Sequence, residues 1–364
     1  MGRFLLATAF LWSAAVSAHP LDDSRLAIVI DGVRLDLRWE ISLRDLDAMV
    51  DLDRDRDNQI SAEEHEAGRN AIERYVRPHL RVDADGRICE GFAPAEQSFA
   101  RRDEGSFVAL RYVLACPTLP GRLNLAYDLF AKEHPAPRTF VTISAAERVW
   151  TEVMADDRRN LAIDLGEPGR VGFFGFFASG VVHMLEGIDH ILFLAVLLLP
   201  LMLAGDRILV PRLLEAAKIL TAFTLAHGLT LWLAALGLVD IPARLVESVI
   251  ALSIAATALD NVRPFLGRRR WLVAFGFGLV HGLGFASALG PLALPPMELA
   301  LSLLAFNLGL EAAQLGIAML ALLVGYGLAG TRVRRTLLPL GSAAAGLVAM
   351  IWFAERAFAL AIFP

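Results

Sequence analysis

The chain changes its pattern of apolar and polar positions near residue 170. Before that point the apolar residues come in short runs that partly alternate with polar ones. The runs at 26–30, 33–39, 108–113, 123–129 and 140–143 are rich in β-branched and aromatic residues and predict strands. Asp85-Gly86 is a hairpin-type turn signal. Together they predict a sandwich of two sheets within residues 19–170. From residue 173 onward the apolar stretches approach the roughly 20 residues needed to cross hydrocarbon. Six of them, near 174–203, 216–236, 243–262, 271–290, 297–327 and 335–360, predict an all-α bundle of six transmembrane helices over 171–364.

One helix–loop–helix interrupts the strand-rich part. Asp53, Asp55 and Asp57 stand at positions 1, 3 and 5 of a twelve-residue loop, 53–64, of the EF-hand type, and Glu64 stands at position 12. Gln59 would offer its backbone carbonyl, Ser61 would act directly or through water, and Ile60 is the buried position 8. Asn58 replaces the usual glycine, a tolerable change because asparagine visits positive φ readily. Leu43, Leu46 and Val50 before the loop, and Ile72 and Tyr75 after it, form candidate apolar faces. The expectation is a single structural calcium site; the alternative is an acidic solvated loop.

Composition sharpens the division. The chain is 56% hydrophobic with a mean hydropathy of +0.53, too apolar for one soluble globule. A net charge of -5 without a basic tract excludes nucleic acid as an expected partner. The only lysines, Lys132 and Lys218, sit in no phosphate-binding loop, so no nucleotide is expected. Arg3, the apolar run 4–16 and Val16-Ser17-Ala18 read as a signal peptide, residues 1–18. Cleavage there would leave His19 first. Its imidazole and α-amine could capture metal, although an incidental residue is the simpler reading. Cys89 and Cys116 are expected to pair in an oxidising compartment, worth about 3 to 4 kcal/mol, with two unpaired thiols as the alternative. His65, His79 and His134 show no ligand spacing and read as surface residues.

An exported first domain makes the first span run inward. The loops then facing the cytoplasm carry Arg207, Arg212 and Lys218, then Arg263, Arg268, Arg269 and Arg270, then Arg332, Arg334 and Arg335, whereas loops 237–243 and 290–297 carry no basic residue. This positive-inside pattern predicts a bacterial inner-membrane protein whose N-terminal domain and C-terminus are periplasmic.

The four histidines after residue 170, His183, His190, His227 and His281, all fall inside apolar stretches. An ionisable group near the bilayer centre costs roughly 2.5 to 3.5 kcal/mol on insertion scales. On one continuous helix, His183, Glu186, Asp189 and His190 would share a stripe, with His183 and His190 two turns apart. Thr221, Thr224, His227 and Thr230 mark the second stretch and His281-Gly282 the fourth. In the fifth, Asn307, Glu311 and Gln314 share a face. Any one of these could be a packing residue, but the set predicts a polar site. Leu225-Ala-His227-Gly228-Leu229 and Leu279-Val-His281-Gly282-Leu283 share a pattern that reads either as an internal repeat of helix pairs or as chance in apolar sequence.

The segment His183-Met-Leu-Glu186-Gly187-Ile-Asp189-His190 resembles the His-Pro-x-x-Gly-x-Asp-His signature of the HupE/UreJ family, with Met184 in place of proline. The resemblance continues through Thr221-Ala-Phe-Thr-Leu-Ala-His227-Gly, Phe277-Gly-Leu-Val-His281-Gly-Leu-Gly-Phe and Phe306-Asn307-Leu-Gly-Leu-Glu311-Ala-Ala-Gln314. It implies a secondary permease for a divalent metal, nickel or cobalt, linked to metalloenzyme maturation proteins, with His183, Asp189 and His190 as ligands. The residues themselves add Glu186, His227, His281, Asn307 and Glu311 as candidate contacts of the transported metal. Imidazole and carboxylate suit such ions without the grip of thiolates. Glu186, Glu247 and Glu311 are candidates to couple protons. Competing readings are a membrane-embedded zinc hydrolase assisted by Ser253 and Glu311, a haem protein with paired axial histidines, and a metal-sensing accessory subunit.

Overall fold

The computed structural model describes residues 23–57, 59–91, 96–102, 105–130, 138–146, 148–155, 158–169, 172–203, 209–239, 241–265, 269–285, 295–328 and 333–358. The expected signal peptide, His19, Asn58, Lys132, His134, Arg207, Arg268 and Arg332 lie outside the described residues.

The N-terminal part starts with a hairpin of β1 (Ser24–Asp31) and β2 (Arg34–Ser42), followed by α1 (Leu43–Val50) and α2 (Ala62–Val76). Then come β3 (Leu80–Ala84), β4 (Arg87–Ile88), β5 (Glu96–Arg102), β6 (Gly105–Ala115), β7 (Arg122–Tyr127), β8 (Thr139–Ala145), β9 (Arg148–Met154) and β10 (Asn160–Asp164). The strands form one sheet of order β5-β6-β2-β1-β8-β9 and another of order β10-β7-β3-β4. β1 runs parallel to β8 with Leu26 opposite Val141, and antiparallel to β2. Alternation along β2 buries Leu35, Leu37, Trp39 and Ile41 against Val82, Leu123 and Leu125 of the second sheet, so the two sheets share one core. All five expected strands are present. Those that sequence reading missed include β4, with two residues, and β5, Glu-Gln-Ser-Phe-Ala-Arg-Arg, whose polar residues carry little period-2 signal. Asp85 and Gly86 turn β3 into β4 with φ of 52° and 78°, and the Asp85 carboxylate accepts from the backbone N–H of Gly121 and Arg122. A disulfide between Cys89 and Cys116 ties the edge of the smaller sheet to the end of β6.

The second part is helical: α3 (Phe173–Glu186), α4 (Ile188–Met202), α5 (Leu209–Ala235), α6 (Ala243–Val262), α7 (Arg270–His281), a 3-10 turn (Gly282–Phe285), α8 (Pro296–Leu328) and α9 (Val333–Phe358). Among the described residues four helices are long and apolar enough to cross a membrane, and the pair α3–α4 makes a fifth if read as one span. Two expectations change here. The continuous helix expected over 174–203 breaks at Gly187, where α4 sets off at 73° to α3. Glycine is a poor helix interior residue, and here its ψ of 93° ends one helix and starts the next. The helix expected over 271–290 ends at His281 and tightens into the 3-10 turn, where Gly282 and Gly284 follow in close succession. Residues 286–294 lie outside the described ones.

Packing sets the relative directions of the helices. Gly278 meets the Phe223 carbonyl and Gly282 the His227 carbonyl, so α5 and α7 run side by side in the same direction. A Cβ on Gly282 would lie 2.1 Å from that oxygen, which leaves room only for glycine. α6 and α9 run oppositely: Asn261 bonds Ser342, and Arg244 bonds the Arg356 carbonyl. The N-terminal domain rests where α5 finishes and α8 begins, through Phe140 and Val153 packed with Phe176, Leu231, Leu299 and Leu303. Leu214, Leu225, Leu245, Leu320 and Leu347 cover the outside of the bundle, an apolar face suited to lipid.

Candidate metal centre

The break at Gly187 shapes the site. Seven residues along a straight helix rise about 10.5 Å, which would hold His183 and His190 two turns apart. Across the bend their rings instead stand 4.9 Å apart, edge to face. α5 brings His227 up to both, at 6.5 Å from His183 and 6.3 Å from His190 between ring centroids. One nitrogen from each of His183, His190 and His227 lies within 4.8 Å of the other two.

Each of two rings is held by its other nitrogen. His190 Nδ1 lies 3.1 Å from Asp189 Oδ1, an oxygen that also accepts the His190 backbone N–H. His227 Nδ1 lies 3.3 Å from Asn307 Oδ1, and Asn307 Nδ2 donates to the Leu303 carbonyl. With Nδ1 carrying the proton in each, Nε2 is the nitrogen whose lone pair is left to bind a ligand. Among the described residues both Nε2 atoms are buried and have no hydrogen-bond partner, whereas most buried polar atoms have one. Carboxylate and amide partners on the far nitrogen are the usual outer shell of ligating histidines. Asp189 and Asn307, expected among the ligands, each place an oxygen against the Nδ1 of a histidine in this geometry.

The remaining expected residues lie around this centre. His281 packs 5.5 Å from His190, its Nε2 beside Ser253 Oγ at 3.2 Å and its Nδ1 buried without a hydrogen bond. It stands outside the three-nitrogen convergence. Glu311 accepts from Thr221 Oγ1 at 2.5 Å, and Gln314 accepts from Thr224 Oγ1 at 3.0 Å, which extends the polar seam between α5 and α8. A small cavity beside the centre is lined by His190, Phe193, Leu194, Leu197, Leu220, Phe223 and Gln314. Glu186 parts company with the histidines. As the last residue of α3 it turns to the N-terminal domain, 3.8 Å from Arg138 Nη2. Glu247 pairs with Arg356 at 3.1 Å.

In the N-terminal domain, α1 and α2 flank the acidic loop as expected, with Leu43, Leu46, Ile60 and Ile72 in the core. One carboxylate oxygen from each of Asp53, Asp55 and Asp57 lies within 4.8 Å of the other two. Glu64 folds back over the loop. Its oxygens accept from the Ser61 N–H and hydroxyl and from the Arg54 N–H, which hold its carboxyl down at about 2. Ser61 Oγ accepts the Glu64 N–H in return, a capping box that starts α2. The Gln59 N–H donates to Asp57. Among the described loop residues the left-handed turn falls on Arg56, with φ of 60°. His65 corrects the expectation of a surface residue: it is 3% exposed and packs against Phe99.

A β-rich domain seated on a bundle of apolar helices with a histidine-lined interior defines a polytopic membrane protein. The family described as HupE / UreJ protein matches residues 160–356, from β10 nearly to the end of α9. That is more than half of the chain, which therefore belongs to the HupE/UreJ family. No curated protein matches the chain.

Proposed function

We propose that the chain is a permease that carries a divalent transition metal, nickel or cobalt, across the membrane as its substrate. The observation that supports this most is the convergence of His183, His190 and His227. Imidazole nitrogens bind such ions firmly enough to strip water, and three neutral ligands without thiolate leave release feasible. A helix broken beside the site adds support, since discontinuous helices form midplane ion sites in many transporters. Membership of the HupE/UreJ family points the same way.

In this reading the N-terminal domain and the C-terminus face the periplasm and the basic loops face the cytoplasm. The bundle crosses six times, α3–α4 counting as one crossing and α7 with the residues after it as another. The shared direction of α5 and α7 and the opposed direction of α6 and α9 agree with strict alternation. Asp53, Asp55, Asp57 and Glu64, with Gln59 and Ser61, hold a structural calcium ion in the N-terminal domain. The convergence of the three aspartates between two helices supports it.

Uptake of Ni²⁺, Co²⁺, Zn²⁺ and Cu²⁺ into proteoliposomes, compared between wild type and His190→Ala, tests the transport reading. One ion taken up by the wild type and lost in the variant supports it. Metal that binds stoichiometrically and never crosses sinks it in favour of a hydrolase or sensor. For the loop, millimolar calcium should raise the melting temperature of the wild type and not of Asp53→Ala; equal shifts would remove the site.

A further inference from the structure

The guanidinium of Arg138 joins two parts of the molecule that sequence reading keeps separate. Arg138 immediately precedes β8, yet it contacts the helix that carries His183. Its Nε and Nη2 grip both oxygens of Asp23, just ahead of β1, at 2.9 Å each. Nη1 donates to the Ser179 carbonyl at 3.1 Å, and Nη2 stands 3.8 Å from Glu186 Oε2. The side chain is only 14% exposed. A paired, largely buried arginine makes stiff, directional contacts, since its donors form a planar fork.

The two points that Arg138 touches on α3 bracket His183. In an α-helix the carbonyl of residue 179 receives the N–H of residue 183, so Arg138 bonds the same oxygen that supports the histidine's own backbone. Glu186 immediately precedes the break at Gly187. Close by, Phe140 stacks on Phe176 and the Gly172 N–H donates to the Thr151 carbonyl, so the start of α3 is also fastened to the domain. His190 and His227 stand on other helices and take their orientation from Asp189 and Asn307. The segment bearing His183 packs on α8 inside the bundle, Gly180 against the Phe306 carbonyl and the His183 ring 5.4 Å from that of Phe306, and it is held in addition from the N-terminal domain.

We propose that Arg138 is a positioning residue for the intramembrane histidine centre: it clamps the Ser179–Glu186 segment to the N-terminal domain and thereby sets the gap between His183 and the pair His190 and His227. This rests on the metal-binding reading above for its functional consequence, while the clamp itself is a statement about geometry. It gives the N-terminal domain a direct part in the site, although the family match begins only at residue 160.

Two measurements on the full-length purified protein test it. The first is Co²⁺ affinity with the ligand-field absorption of the bound ion. The second is the distance distribution between spin labels at Phe174→Cys and Leu225→Cys, both exposed on α3 and α5. The native cysteines are disulfide-bonded and do not take label. Arg138→Gln should weaken Co²⁺ binding about 10-fold or more, the scale of orienting groups, alter the absorption, and broaden the distance distribution. Glu186→Gln, which leaves the Asp23 grip intact, should shift both readouts less and in the same direction. Arg111→Gln, which breaks an exposed pair with Asp36 on the same domain, should leave both unchanged. Arg138→Gln with wild-type affinity, spectrum and distances would overturn the proposal. If Arg138→Gln does not fold, Glu186→Gln decides by the same readouts. If wild type binds neither Co²⁺ nor Ni²⁺, the metal reading fails, and the distances alone decide the clamp: broadened supports it, unchanged overturns it.

Discussion

Asp189 shows how a residue's role depends on one contact. Its position beside His190 makes it look like a ligand, but its Oδ1 is engaged by the His190 ring and backbone N–H. That contact predicts a role through the histidine, in which Asp189 accepts the Nδ1 proton and leaves Nε2 to bind metal. Asp189→Ala should weaken metal binding 10- to 100-fold, with Asp189→Asn in between because an amide oxygen still accepts the ring N–H. Equilibrium dialysis with Co²⁺ measures both, and equal affinity in Asp189→Ala and wild type would remove the orienting role. The residue types His183, His190 and His227 were legible as a set, since imidazoles inside apolar stretches are expensive without a use. Their partners were less so. Nothing in the spacing distinguishes Glu186, which turns to Arg138, from Asp189 three positions later, because the bend at Gly187 sends them to different sides.

At the scale of elements, Gly187 matters more than any helix length. Hydropathy registers one apolar stretch there and is blind to the 73° bend within it. A Cβ at this position would fall 2.6 Å from His190 Nδ1 and 3.0 Å from the His183 carbonyl. Gly187→Ala must therefore displace one of the two histidines, at about 1 to 3 kcal/mol of overpacking strain. The expected outcome is a sharp fall in metal uptake with unchanged helix content by circular dichroism; full uptake would mean that the break tolerates a side chain. The N-terminal elements tell a similar story. The acidic loop and its two helices were legible from ligand spacing and apolar faces. Strands β4 and β5 were not, because their pairing partners, rather than their own alternation, make them strands.

For the whole molecule, the directions of the helices and the seating of the N-terminal domain form one consistent frame. α5 ends and α8 begins against that domain, whereas Lys218 and Arg212 lie toward the other end of α5. Cysteine replacements of two exposed residues test the proposed orientation. Leu238→Cys should react with a membrane-impermeant maleimide on intact cells, and Arg263→Cys should react only after lysis. The reverse pattern would invert the topology, and the native cysteines stay silent because they are disulfide-bonded.

Taken alone, the sequence determined the division of the chain, the membrane-bound class of its second half, the acidic loop and the list of polar residues buried in apolar stretches. Each of these depends on composition and local period, which a single chain displays directly. Only the tertiary structure decided that a helix breaks at Gly187, that three of the four histidines converge while His281 stands beside them, and that an arginine of the N-terminal domain reaches α3. Those facts depend on which surfaces meet once the chain folds, including pairs far apart in sequence such as His183 and His227, 44 apart, and Arg138 and Ser179, 41 apart. Contacts of that kind are selected by packing and by the need to pair buried charge, and neither leaves a periodic trace along the chain.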